Sequence, residues 1–284
     1  MKLEWDDQKK RYELNIMGFK IYSVFQAITD SCGVPFGYEA LCRIEIQGEY
    51  VSIKKFYKML EDFGQDTEFK FKFALNLMHL RNFRGSRLYN DEVKIFLNIT
   101  PCFFKKFVID SGLSELYVEQ VIKEKVRFDQ IVAEIVEDYC PVVDIESLHK
   151  GVNYLKNLGV SVAMDDFGTG WSGYSRLAVI QPDYVKISRE MLIESEVLSG
   201  KDGSRLDEIM VVSSLREIKV IFEGVESQDN VNLAMKYGGS LFQGYYFDIP
   251  RSYQVLKEKC SNALKRNQFL LSSYLTSGTY ITSK

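Results

Sequence analysis

Apolar positions change period along this 284-residue chain. Residues 12–28 and 36–46 alternate apolar and polar, which predicts strands. In the second, Phe36, Tyr38, Ala40, Cys42 and Ile44 share one side, and Gly37, Glu39, Leu41 and Arg43 the other. Residues 29–33 read Thr-Asp-Ser-Cys-Gly, a turn. Helical spacing follows at 52–63 (Ile53, Phe56, Tyr57, Leu60) and 66–83 (Phe69, Phe73, Leu77, Leu80). From residue 93 the chain keeps a strand–helix rhythm. Strands are expected at 93–98, 128–135, 160–164, 184–187, 220–222 and 240–246. Helices are expected at 112–125, 144–158, 172–180, 205–217 and 227–237, with Asp144 as an N-cap and Gly159 as a stop. Strands and helices that alternate in this way imply parallel βα units. Roughly seven or eight repeats in about 250 residues favour a closed (β/α)8 TIM-like barrel, an α/β fold, over an open sheet. Residues 1–11 read as a charged, loosely held lead-in, 12–255 as the barrel domain, and 256–284 as a C-terminal helix and Ser/Thr-rich tail. No composition shift marks a second domain.

Composition narrows the function. A net charge of -3 argues against a DNA-binding face. No apolar run reaches membrane-spanning length, and the N-terminus has no signal-peptide core. Cys32, Cys42, Cys102, Cys140 and Cys260 are odd in number and widely spaced, as expected of reduced, mostly packing cysteines in a cytoplasmic protein. Two histidines, His79 and His149, are too few for a histidine-rich zinc site and read as helix-surface residues. Asn98-Ile-Thr100 matches a glycosylation sequon but ends an apolar strand.

The strand ends carry the chemistry. Asp165 and Asp166 close the strand at 160–164, and neighbouring carboxylates repel unless a cation lies between them. Glu39, Asn98, Glu134, Lys186, Glu223 and Gln243 hold corresponding places on other strands. Barrel enzymes gather catalytic residues at such ends. The donors are oxygens, which select Mg²⁺ or Mn²⁺. Glu39, Asn98, Glu134 and Asp165 are candidate ligands for one ion, and Asp166 beside Asp165 suggests a second. Paired ions suit in-line phosphoryl displacement. Lys186 and Glu223 are candidates to orient or deprotonate a water. Arg43, on the face of Glu39, is a candidate for a phosphate oxygen.

These positions resemble the EAL domain family, the cyclic di-GMP phosphodiesterases. The resemblance lies in Gly37-Tyr-Glu39-Ala-Leu41-Cys-Arg43, Asn98, Glu134-Ile-Val-Glu137, Asp165-Asp-Phe-Gly-Thr-Gly170, Lys186-Ile, Glu223-Gly-Val-Glu226 and Gln243-Gly-Tyr245. Phe25-Gln26 resembles the family's Tyr-Gln pair. The match runs in order from about 20 to 250 and implies an EAL-type barrel, with room for one antiparallel strand. It implies hydrolysis of cyclic di-GMP to linear pGpG with two Mg²⁺ or Mn²⁺ ions, and substrate contacts from Gln26, Arg43, Gln243 and Glu226. It also implies a homodimer through the region after Asp165-Asp166, whose loop Glu137 steadies.

Ser188 departs from the family pattern, which has Asp two residues after the motif lysine. Strand alternation puts Ser188 on the side of Lys186, where a neutral, shorter group weakens support for the second ion. Val136 stands for a common threonine. The alternative is therefore a weak or inactive EAL domain that binds cyclic di-GMP or a protein partner without cleaving it. Other readings stay beside these. Gly168-Thr-Gly170-Trp-Ser-Gly173 fits G-x-G-x-x-G, but the acid a dinucleotide site wants is replaced by Ser188. Lys186 reads equally as a counter-ion, Gln243 as a barrel-layer residue, and Glu226 as favouring a helix N-terminus.

Overall fold

The computed structural model describes residues 1–100, 103–104, 108, 111–136, 145–167, 174–198 and 205–255. Several expectations lie outside them: the helix and tail at 256–284, the glycine turn at 168–173, Glu137, Asp144, and the cysteines at 102, 140 and 260. The chain forms two compact units. One comprises Met1–Val24, Cys42–Tyr89 and, among the described residues, 252–255; the other comprises Phe25–Leu41 and Asn90–Arg251.

The first unit holds strands β1 (Lys2–Asp6), β2 (Arg11–Ile16), the first half of β3 (Phe19–Thr29), the second half of β4 (Pro35–Ile46), β5 (Glu49–Val51), and helices α1 (Ile53–Glu61) and α2 (Gln65–Gly85). β1, β2 and β3 pair antiparallel in turn, as do β4 and β5. The stretch expected as a loose lead-in thus contains a strand. Leu3 and Trp5 alternate with Lys2, Glu4 and Asp6. Asp6 Oδ1 accepts from the amides of Gln8 and Lys9, both at 2.8 Å, and so makes the turn into β2. The expectation for His79 fails. It is buried, with Nδ1 2.9 Å from Ser23 Oγ. The side chains from Phe73 to Leu80 are buried without interruption, so this part of α2 has no solvent face on which a histidine sits. His149 is exposed, as expected.

The second unit is the barrel. Its helices are α3 (Ser111–Lys123), α4 (Ile145–Asn157), α5 (Tyr174–Ile180), α6 (Arg189–Leu198), α7 (Arg205–Leu215) and α8 (Gln228–Lys236). Its strands are the remaining parts of β3 and β4 with β6 (Lys94–Ile99), β7 (Ile131–Ile135), β8 (Ser161–Met164), β9 (Tyr184–Ile187), β10 (Lys219–Phe222) and β11 (Leu241–Gln243). Strands β4, β6, β7, β8, β9, β10 and β11 pair in parallel, in that order. β3 runs antiparallel to β11, and its pairing with β4 closes the ring. Seven strands therefore run one way and one the other, which is the antiparallel exception the sequence left room for.

One residue from each strand fills the barrel at a single level: Ile28, Phe96, Val132, Ala163, Tyr184, Ile221 and Leu241, with Phe36 of β4 packed against them. On β4 the inward position beside Phe36 is Gly37, where a Cβ would stand 2.9 Å from the Phe96 ring. The layer is dry and sets the floor of whatever lies above it.

The last strand and helix α6 also differ from expectation. The last strand ends at Gln243 rather than 246 because the chain turns there onto Val225. Gly244 has no room for a side chain, since a Cβ would lie 2.1 Å from the Val225 carbonyl oxygen, and the Tyr246 amide donates to that oxygen at 3.0 Å. Helix α6 had no counterpart in the sequence reading. Ser188 starts it: its hydroxyl accepts from the Met191 amide at 3.4 Å, an N-cap role for which serine is among the favoured residues.

Candidate active site

Side chains on one strand face the same way every second residue, so the next inward level lies two positions above the floor. On the six strands from β6 to β11, those positions are Asn98, Glu134, Asp165, Lys186, Glu223 and Gln243. On β3, which runs the other way, the same level is reached two residues before Ile28, at Gln26. Glu39 of β4 completes the ring. The polar strand ends are thus one layer of the barrel, placed by the pleat itself.

Lys186 is the hub. Its Nζ lies 2.5 Å from Glu223 Oε1, 2.6 Å from Glu134 Oε1, 3.3 Å from Glu39 Oε2 and 3.7 Å from Asp165 Oδ1. Lys186 is 1% exposed and Glu134 0%. Burial alone would favour the neutral amine, but the surrounding carboxylates outweigh it and hold the Lys186 pKa well above the usual lysine range. Burial pushes Glu134 well above the carboxylate range, with Glu39 adding to the rise and Lys186 opposing it. Burial likewise pushes Glu223 up to about 8 against the pull of Lys186. Glu39 goes the other way. Its burial is outweighed by Lys186 and by hydrogen bonds from Asn98 and Gln243, and its pKa is lowered. Those bonds are Asn98 Nδ2 to Glu39 Oε1 at 2.9 Å and Gln243 Nε2 to Glu39 Oε2 at 2.6 Å.

The donor set fits a hard cation. Carboxylate oxygens of Glu39, Glu134 and Glu223 lie within 4.8 Å of one another, and so do those of Asp165, Asp166 and Glu223. The two groups share Glu223. Glu134 Oε2 is buried without a hydrogen-bond partner, a cost that a ligand would relieve. Asp166 has a left-handed backbone, φ +46°, and its amide donates to Asp165 Oδ1 at 3.0 Å. Aspartate is one of the few residues that adopts this conformation readily.

A cavity of about 370 Å³ opens beside the ring, lined by Gln26, Glu39, Glu223, Glu226, Gln243 and Tyr245 among others. Glu226 stands at its edge, with Oε2 2.7 Å from Arg189 Nη1, and precedes Ser227, the N-cap of α8. Arg43 belongs to the other unit, where its Nη1 donates to the Cys42 carbonyl at 2.9 Å. Glu137 lies outside the described residues. Sequence reasoning passed over Arg189, whose Cβ stands 2.9 Å from where a Cβ of Gly224 would be. Its place at the start of an unread helix hid it.

The family model described as the EAL domain matches residues 13–250. The chain belongs to the EAL domain family. The EAL domain here is 26% identical, over 239 residues, to the probable cyclic di-GMP phosphodiesterase PdeI of Escherichia coli K12; the match covers 83% of this chain and 30% of that protein. Among solved structures it is similar to the Bacillus subtilis YkuI protein, an EAL protein in complex with substrate c-di-GMP and calcium, at 24% identity and a TM-score of 0.65, covering 90% of this chain and 61% of that one. It is also similar to Klebsiella pneumoniae BlrP1 in a manganese/cy-diGMP complex, at 21% identity and a TM-score of 0.69, covering 88% of this chain and 58% of that one. The EAL chain thus spans about a third of that curated relative and about three-fifths of these structural ones. No helix among its described residues is long and apolar enough to cross a membrane.

Proposed function

We propose that this EAL domain, taken as residues 12–255, hydrolyses cyclic di-GMP to linear pGpG with two Mg²⁺ or Mn²⁺ ions. The observation that carries the reading is the charge balance of the barrel layer. One buried ammonium, Lys186, faces four carboxylates, and the buried Glu134 keeps one oxygen without a partner. Such a site wants further positive charge, and all-oxygen donors favour hard cations. Bound ions of this kind ease deprotonation of water and neutralise charge on a phosphodiester.

In this reading Glu39, Asn98, Glu134, Asp165 and Asp166 hold the ions. Lys186, as an ammonium, orients the attacking water, and Glu223 takes its proton. Gln26, Gln243 and Glu226 hold the dinucleotide, and Glu137 steadies the loop after Asp165-Asp166, through which two copies of the chain pair in the cytoplasm. The names of the relatives support the substrate, and two solved neighbours hold the same dinucleotide with calcium or manganese. The decisive experiment is metal-dependent turnover of cyclic di-GMP by purified protein, with chromatographic identification of the product. Binding of the dinucleotide without turnover in either metal rejects the enzyme.

A second reading rests on Ser188. With serine where the family resemblance expects a carboxylate, the chain is a cyclic di-GMP receptor or a protein-interaction module. It predicts binding of the dinucleotide without pGpG release.

A further inference from the structure

The loop after β11 does more than leave the barrel. It returns along the outer end of β3. Phe25 and Arg251 exchange backbone hydrogen bonds at 2.9 and 3.1 Å. One residue further in, the side chain of Gln26 donates from Nε2 to the Asp248 carbonyl at 3.1 Å. Next, the amide of Ala27 donates to Asp248 Oδ2 at 3.0 Å. Asp248 thus grips β3 twice, at the Gln26 side chain and at the Ala27 amide. Its own amide donates to the Gly244 carbonyl at 3.0 Å, and Arg251 pairs with its other carboxylate oxygen.

Gln26 passes this on. Its Oε1 accepts from Gln243 Nε2 at 3.2 Å, and the same Nε2 donates to Glu39 Oε2 at 2.6 Å. The polarity of the chain follows from one fixed point. Asp248 offers a carbonyl, so Gln26 turns its amide nitrogen outward and its oxygen inward. Gln243 must then present its nitrogen to both Gln26 and Glu39. Its own Oε1 is left buried without a partner. Gln26 and Gln243 are 8% and 4% exposed, so both side chains are largely held by protein partners. Amide orientation, otherwise a two-fold ambiguity, is set at each link.

We infer that Asp248 is a positioning residue for the metal site, acting through Gln26 and Gln243 to fix the carboxylate of Glu39. The inference rests on the reading of Glu39 as a metal ligand. Outer hydrogen-bond partners of ligating groups hold ligand geometry, and their loss lowers metal affinity by about 10- to 100-fold.

The test is calorimetric titration of the whole chain with Mn²⁺ alone, alongside thermal unfolding of each variant. Glu39→Gln is the reference. Asp248→Ala is expected to weaken Mn²⁺ binding about 10-fold or more, and Asp248→Asn, which keeps an oxygen for the Ala27 amide, to restore most of it. Gln26→Met breaks the relay at its middle without touching Asp248 and should weaken binding to the same extent; it decides the matter if Asp248→Ala does not fold. The double variant Asp248→Ala/Gln26→Met should bind no worse than Gln26→Met, because both remove one path. Arg251→Ala removes only a rim ion pair and should stay within about threefold of wild type. Unchanged affinity in folded Asp248→Ala, or in Gln26→Met, with affinity lost in Glu39→Gln, overturns the relay and leaves the metal reading standing. No Glu39-dependent Mn²⁺ binding in the wild type overturns the metal reading, and the relay with it.

Discussion

Lys186 Nζ lies 2.6 Å from one oxygen of Glu134 and leaves the other, Oε2, buried with no partner. That asymmetry divides the layer's chemistry. The lysine pairs with four carboxylates, but it satisfies only part of the negative charge gathered around it.

The first prediction concerns that lysine. Lys186→Met keeps the volume and removes the charge. Four carboxylates then lose their shared partner, two of them, Glu39 and Glu134, almost fully buried. Removing one member of a buried ion pair costs about 3–5 kcal/mol, so the metal-free protein should lose about that much stability in urea. Mg²⁺ or Mn²⁺ should restore more stability to the variant than it adds to wild type, because the ion takes over a charge the protein no longer supplies. Equal stability of variant and wild type in EDTA would show that Lys186 is not the counter-ion.

Glu39 tests the enzyme. It accepts from Asn98, Gln243 and Lys186 at once, so Glu39→Ala removes an acceptor that three polar groups share. Turnover of cyclic di-GMP should fall at least about 100-fold, beyond what loss of an outer partner does. Saturating Mn²⁺ should rescue little of it. Turnover within a few-fold of wild type would remove Glu39 from the metal site.

The strand ends were legible because burial and chemistry share one period. A polar residue closing an apolar strand stands out against the run before it, and this happens at Asn98, Glu134, Asp165 and Glu223. The level on which they meet was not legible. It depends on register, which places Asn98 opposite Glu134 and Ile221 opposite Lys186, and no local pattern encodes that. Gln26 was visible only by family likeness, because β3 runs against its neighbours and its inward residues count backwards. Helix α6 was missed because it begins directly after a strand, with Ser188 as the hinge. His79 was misjudged for a related reason: helical spacing identifies one apolar face, and α2 is enclosed on more than one.

The raised carboxylates give a pH signature. Glu223 titrates near 8 in the folded protein against an ordinary value of 4.5, and Glu134 is displaced in the same direction. Between about 4.5 and 8 the folded protein therefore keeps protons that the unfolded chain has released. Stability must fall as pH rises through that window. Glu39, lowered below its ordinary 4.5, acts in a lower and separate window, where stability rises with pH. Urea unfolding of metal-free protein at a series of pH values should show the decline, and Glu223→Gln should make it shallower. A rise in stability across the same window would contradict the burial of Glu223 beside Asp165 and Glu39.

Ser188 separates the enzyme from the receptor. It is 92% buried by its 8% exposure, and its hydroxyl caps α6 through the Met191 amide. Aspartate caps helices as well as serine does, so Ser188→Asp keeps the cap, and the cost of its added buried charge should show as a lower melting temperature without metal than with Mn²⁺. It also adds one carboxylate one residue beyond Ile187 and two beyond Lys186. If the native site is short of support for its second ion, turnover should rise by about 10-fold or more, the scale on which single supporting groups act on metal sites. Ser188→Ala separates the two effects. It loses the cap, at about 1 kcal/mol, and gains nothing at the site, so its turnover should stay near that of wild type at temperatures where it is folded. Equal, readily measured turnover in Ser188→Asp and wild type would mean that the serine already suffices, and the receptor reading would lose its support.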